Sequence, residues 1–123
     1  MKFYKCEKCG HIVYSLNEAC ANVKCCNEKM VELESNSVDA AVEKHVPVVT
    51  VKDNAVEVCV GSTLHPMSDV HNIAWVALET NCGVYLHNLN VNQEPKTTFL
   101  VAEGEVVKNV YAYCNLHGLW SIN

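Results

Sequence analysis

Two pairs of cysteines near one end constrain this chain more than anything else in it. The opening segment MKFYKCEKCG carries Cys6 and Cys9, and sixteen residues later VKCCNEKM carries Cys25 and Cys26 side by side. Next comes a polar, acidic stretch, Glu32-Leu33-Glu34-Ser35-Asn36-Ser37, which reads as a connector and sets a boundary near residue 36. A unit of about 36 residues is too small for a hydrophobic core alone to hold it, so it needs a staple. Cys6-x2-Cys9 puts two sulfurs on one tight loop, and Cys25-Cys26 can close a tetrahedral shell around zinc or iron. A pair of disulfides is the competing staple. The adjacent cysteines are unusual, because zinc ribbons generally close with a second C-x2-C, whereas neighbours must splay their side chains to share an ion. Ligand type alone leaves iron and zinc both open. His11 follows the knuckle and reads as an exposed side chain, and Cys20 as a spare thiol.

The rest of the composition bears on that choice. The segment after Met1-Lys2 has no apolar core of a signal peptide, and the longest strictly apolar run, Ile73 to Leu78, is six residues, too short for a membrane span. The expectation is a cytoplasmic protein whose eight cysteines stay reduced, and there paired thiols more often bind metal than each other. The formal charge is −5, with nine lysines and no arginine. Arginine supplies the bidentate forks used on phosphate and guanine, so nucleic acid is not an expected partner.

Beyond residue 36 the pattern changes to short runs rich in β-branched and aromatic residues: Val46 to Lys52, Ala55 to Val60, Asn72 to Glu79, Val84 to Val91, Thr97 to Val101 and Val106 to Tyr113. Asp53-Asn54, Asn81-Cys82-Gly83 and Glu103-Gly104-Glu105 read as turns between them. No window of helical length shows a clean 3.6-residue apolar period. The chain is expected to be mainly β, with residues 37–123 forming an antiparallel β-sandwich. Trp75 alternates with Ile73 and Ala77 and reads as sandwich core.

A second set of metal-ligating types is spread through this sandwich: His45 in EKHVP, His65 and His71 in LHPMSDVH, and Cys114 and His117 in YCNLHGLW. A single histidine in a β domain is more often a surface or hydrogen-bonded residue than a ligand. Each of these, however, falls at a strand end or in a loop, and loops at one end of a sandwich converge. His65 and His71 are six positions apart, up to about 20 Å if extended, so they can share an ion only if Pro66 to Asp69 turns back. Trp120 follows this group closely enough to pack under it. Cys59, Cys82 and His87 join neither set.

These motifs together, C-x2-C-x15-C-C, EKHVP, HPM-x3-H and CNLHG-x-W, occur in order over nearly the whole length, and with them the chain resembles desulfoferrodoxin, the two-iron form of superoxide reductase. The resemblance implies a desulforedoxin-like domain over 1–36, with iron on Cys6, Cys9, Cys25 and Cys26. It further implies an immunoglobulin-like domain over 37–123, with iron held by His45, His65, His71 and His117 in a plane and Cys114 on the axis. The implied activity is one-electron reduction of superoxide to hydrogen peroxide in oxidative-stress defence. Lys44 would steer superoxide and hold a protonating water, and Glu43 would act as a sixth ligand once peroxide has left. The implied partners are an electron donor such as rubredoxin and a second copy of the chain in a homodimer.

Overall fold

Val56, Val58 and Val60 alternate with Ala55, Glu57 and Cys59, the two-residue period of a strand with one face in a core. In the computed structural model, which describes residues 1–17, 19 and 22–123, those three valines are buried to 2% exposure or less. Cys20 lies outside the described residues. The chain divides into two compact units, Met1–Glu34 and Ser35–Asn123.

The first unit is built from very short strands. β1 (Lys2–Lys5) lies between β2 (Ile12–Ser15) and β5 (Val31–Glu32), while β3 (Lys24–Cys25) and β4 (Glu28–Lys29) form a separate hairpin. Tyr4, Cys6 and Met30 make its buried cluster, with Val13 and Cys25 packed alongside.

The second unit opens with one helical turn, α1 (Val42–His45), followed by β6 (Pro47–Lys52), β7 (Ala55–Val60), β8 (Ile73–Thr80), β9 (Val84–Asn88), β10 (Lys96–Leu100), β11 (Val107–Cys114) and β12 (Gly118–Ser121). These pair antiparallel into two sheets, ordered β10-β7-β6 and β12-β11-β8-β9. Val56, Val58, Val60 and Phe99 from one sheet pack with Ile73, Val76, Leu78, Val110, Ala112 and Cys114 from the other. Burying side chains of this kind contributes about 1.5–3 kcal/mol each, which makes this layer the main source of stability.

Three expectations need correcting. Val46 is extended but outside the strand, because the helical turn α1 runs to His45 and β6 begins at Pro47. Pro47 explains the stop, since the residue before a proline is pushed out of helical geometry. Trp75 is not core, because the β8–β11 register shifts between the Trp75–Tyr113 and Ile73–Cys114 pairs. That bulge flips the alternation, so Ile73 and then Val76 and Leu78 face inward while Trp75 is half-buried and stacks on Tyr113 at 5.3 Å. Finally, β9 stops at Asn88 instead of Val91, and β12 was not anticipated.

At the sandwich end away from the histidines, one carboxylate ties several segments together. Glu105 accepts from the Thr80 hydroxyl at 2.6 Å, the Tyr85 hydroxyl at 2.7 Å and the Ala102 N–H at 2.7 Å. Those bonds, Thr80 first, hold its pKa below the ordinary value. A carboxyl depressed in the folded state contributes stability above its unfolded pKa, and the contribution fades as pH falls through the folded value. Glu105→Gln is therefore expected to narrow the stability gap between neutral pH and about pH 3, as read by urea melts at both. An unchanged gap would show that this carboxylate carries none of the acid sensitivity.

Candidate metal centres

In the first unit, a turn and a hairpin present the four thiols. Gly10, at φ +79°, closes the Cys6–Cys9 loop, with Gly10 N–H donating to Cys6 O at 2.9 Å and Cys6 N–H to His11 O at 2.8 Å. Cys26 and Asn27 form the two-residue turn between β3 and β4, and both have positive φ, as tight hairpins of the I′ kind require. This is how adjacent cysteines share a site: Cys25 is in extended strand, whereas Cys26 is in the left-handed region. Cys9 Sγ lies 3.6 Å from Cys25 Sγ, which lies 3.9 Å from Cys26 Sγ. A tetrahedron with metal–sulfur bonds of about 2.3 Å has sulfur–sulfur edges of about 3.8 Å, so the spacing fits an ion.

Their acidity points the same way. The Cys9 N–H lowers the Cys6 pKa to about 7, whereas the Cys9 and then the Cys6 side chains push Cys25 up to about 12, and Cys9 pushes Cys26 up. Crowded thiols resist becoming thiolates together unless a cation neutralises them. All seven described cysteines are unpaired, so no disulfide staples the described part of this unit.

In the second unit the strand register gathers the other set. His45 ends α1 just before β6, His65 follows β7, His71 precedes β8, Cys114 ends β11 and His117 precedes β12. The pairs Pro47–Val60, Ile73–Cys114 and Cys114–Gly118 bring those strand termini to one end of the sandwich. The loop between His65 and His71 does turn back, with Ser68 N–H donating to His71 O at 2.9 Å. Around the site the rings follow the order 45, 65, 71, 117, with neighbouring centroids 4.6–5.2 Å apart and neighbouring planes 73–83° apart. One ligand atom from each of His45, His65, His71 and Cys114 lies within 4.8 Å of the others. His117 completes the ring with Nδ1, 3.1 Å from His45 Nε2 and 3.8 Å from Cys114 Sγ.

The bonds around the rings fix which nitrogen faces inward. Carbonyl oxygens accept from the Nδ1–H groups of His45 (Ala41 O, 2.7 Å) and His65 (Pro66 O, 2.7 Å), leaving Nε2 of each as a lone pair. His65 Nε2 and His71 Nε2 are buried without a hydrogen-bond partner, a cost that proteins rarely accept unless something binds there. Burial lowers the pKa of His65 to about 4 and also lowers those of His45 and His71, so all three are neutral donors at neutral pH. A smaller cause at His45 and His71 is the positive charge of Lys44. Trp120 stacks on His45 at 4.8 Å and donates from Nε1 to His117 O at 3.1 Å. The donor set suits a transition metal: four imidazoles with one cysteine sulfur buried at 0% exposure.

Glu43 and Lys44 are exposed on α1 and form no ion pair among the described residues. Their turn rests on another. Thr63 N–H and the Ser62 hydroxyl both donate to Glu43 O, at 3.0 and 3.2 Å. Gly61, at φ +88°, passes so close that a Cβ there would stand 2.8 Å from Lys44 O and 3.0 Å from Glu43 O. The sequence reading missed this residue, although a glycine closing an apolar strand was a visible signal. His11 and Cys82, the latter in its turn, are exposed, and Cys59 on the outer face of β7 is half-buried; all three lie outside both groups. His87 bonds Thr97 Oγ1 at 2.6 Å and stacks on Phe99 at 4.2 Å.

Comparison with known proteins agrees with these two centres. Residues 37–123 match the family model described as desulfoferrodoxin, and residues 1–33 match that of the desulfoferrodoxin N-terminal domain. Desulfoferrodoxin from Syntrophotalea carbinolica is 42% identical over 121 residues, covering 98% of this chain and 94% of its relative. That from Desulfarculus baarsii is 42% identical over 120 residues, with the same coverage. The crystal structure of the superoxide reductase from Treponema pallidum is similar over 99% of this chain and 98% of that one, with a TM-score of 0.85 and 38% identity. With both units matched in order and each carrying its own set of ligand-type side chains, the chain belongs to the desulfoferrodoxin family.

Proposed function

We propose that this chain is a superoxide reductase, converting superoxide and two protons to hydrogen peroxide without releasing dioxygen. The observation that carries this reading is the convergence of four imidazoles and one buried thiol, two of whose Nε2 atoms are otherwise unsatisfied. Cys6, Cys9, Cys25 and Cys26 would hold one iron, and His45, His65, His71, His117 and Cys114 the other. When bound in the second group, a ferrous ion supplies one electron to each superoxide. The domains under this reading are 1–36, the four-cysteine iron domain, and 37–123, the reductase domain.

The chain's own residues handle attraction and protons. Four neutral imidazoles and a thiolate around a ferrous ion carry about +1, which favours an anion at the centre. The net charge of −5 opposes that attraction, but salt screens it beyond about 8–10 Å, so charges near the opening dominate. Lys44, exposed on α1 next to His45, would be the cation that acts there. It would draw superoxide in and hold the water that delivers a proton to the product. Glu43, on the same exposed turn, would cover the open side between turnovers.

An electron donor such as rubredoxin would re-reduce the centre, and the working assembly would be a homodimer in the cytoplasm. The unpaired thiols fit a reducing compartment, and no described helix is long and apolar enough to cross a membrane.

Pulse radiolysis of the reduced protein tests the assignment. Superoxide is expected to vanish in step with oxidation of the histidine-bound iron and with no dioxygen formed; dioxygen release, or zinc in that group, would overturn it. Lys44→Ala is expected to slow the encounter about tenfold or more and to flatten its ionic-strength dependence, with both iron spectra intact. An unchanged rate would remove Lys44 from the mechanism.

A further inference from the structure

His71 differs from His45 and His65 in how it is held. His45 and His65 are each locked by an Nδ1–H bond to a carbonyl, whereas no hydrogen bond reaches the His71 ring among the described residues. Its backbone is pinned instead. Ser68 accepts from His71 N–H at 3.2 Å, and the Ser68 N–H and hydroxyl both donate to His71 O. On either side of His71, the Asn115 side chain takes hold: Asn72 N–H donates to Asn115 Oδ1 at 2.9 Å, and Asn115 Nδ2 donates to Val70 O at 3.0 Å. The Asn115 backbone N–H also donates to Asn72 O at 3.1 Å.

Asn115 lies between Cys114 and His117, so these bonds join the segment carrying one histidine of the ring to the segment carrying the thiol and another histidine. We propose that Asn115 is a positioning residue for the centre, setting His71 against Cys114 and His117 by gripping the peptides on both sides of His71. Only an amide of this length does so, because it offers a donor and an acceptor on one plane. Aspartate keeps the acceptor and turns an oxygen toward Val70 O, while leucine keeps the shape and loses both bonds. The inference rests on the histidine group being a metal centre.

The test uses the full chain loaded with iron, comparing Asn115→Leu and Asn115→Asp with the unaltered protein. The readouts are loss of ferrous iron to a chelator, resolved by centre, and the position of the thiolate charge-transfer band after oxidation. The four-cysteine centre serves as internal reference. Asn115→Leu is expected to bind iron at the histidine group about 10–100-fold more weakly, with a displaced band, and Asn115→Asp to fall between. Iron retention and band position unchanged in the folded Leu variant, with only a lower melting temperature, would reduce Asn115 to a structural residue and overturn the proposal. If the Leu variant does not fold, the same result in the Asp variant overturns it equally. An unaltered chain that holds no iron at the histidine group would instead remove the proposed function itself.

Discussion

Replacing Cys114 with serine is expected to abolish the blue absorption of the oxidised histidine centre and the reduction of superoxide, while leaving the four-cysteine absorption in place. Three features make the effect large. Cys114 is fully buried at the end of β11, so no other described thiol can take its place. A serine hydroxyl does not ionise near neutral pH, so the variant loses a negative charge and a polarizable donor together. A thiolate donor would also raise the electron density on an ion held there, the lever that cysteinate exerts on haem iron. Altering a group that merely orients a ligand typically costs 10–100-fold, so loss of the ligand itself should exceed about 100-fold in rate. Volume is nearly conserved, and the core around Ile73 and Val110 should keep its packing. Survival of either the blue band or the activity in a folded Cys114→Ser protein would show that residue 114 is not the sulfur ligand.

How much of this was legible in the chain depended on how local the determining physics is. The thiol pairs, the valine alternation of β7 and the Asp53-Asn54 turn are set by neighbours a few residues apart, and they could be read directly. His65 and His71 formed a conditional expectation, resting on a bend that Pro66 and Ser68-Asp69 made plausible and that the Ser68–His71 bonds supply. The order of the rings around the centre was not legible, because it follows from which strand termini the two sheets bring together. Trp75 was misread for a related reason: a strand's alternation inverts at a bulge, and the bulge shows only in pairing with β11. Asn115 acts across a long separation in sequence, so nothing beside it announced a role, whereas Gly61 carried a local signal, closing an apolar strand, that did not say what it would pass. The Trp120–His45 stack was foreseen only as proximity to the site.

The four-cysteine unit should depend on its metal far more than the sandwich does, and Cys6→Ser is expected to unfold it. Among the described residues its buried cluster is Tyr4, Cys6 and Met30, and three of its five strands are two residues long. At about 1.5–3 kcal/mol for each buried side chain, that cluster falls well short of the conformational entropy of ordering some thirty residues, about 1–2 kcal/mol apiece. Structural metal ions in comparably small peptides bind with about 10–16 kcal/mol, which is on the scale needed. Cys6 belongs to both accounts, being 2% exposed in the cluster and one of the four thiols, so its loss removes packing and a ligand at once. The sandwich has its own layer of valines, Phe99 and Leu78 and needs no ion to bury them. Amide exchange measured residue by residue separates the two: protection in β1 and β2 should vanish in Cys6→Ser while β7, β8 and β11 keep theirs. A metal chelator should reproduce the pattern in the unaltered chain. Undiminished protection of Lys2–Lys5 in the serine variant would mean that this unit is held by its strands and side chains, and that its metal is dispensable to the fold.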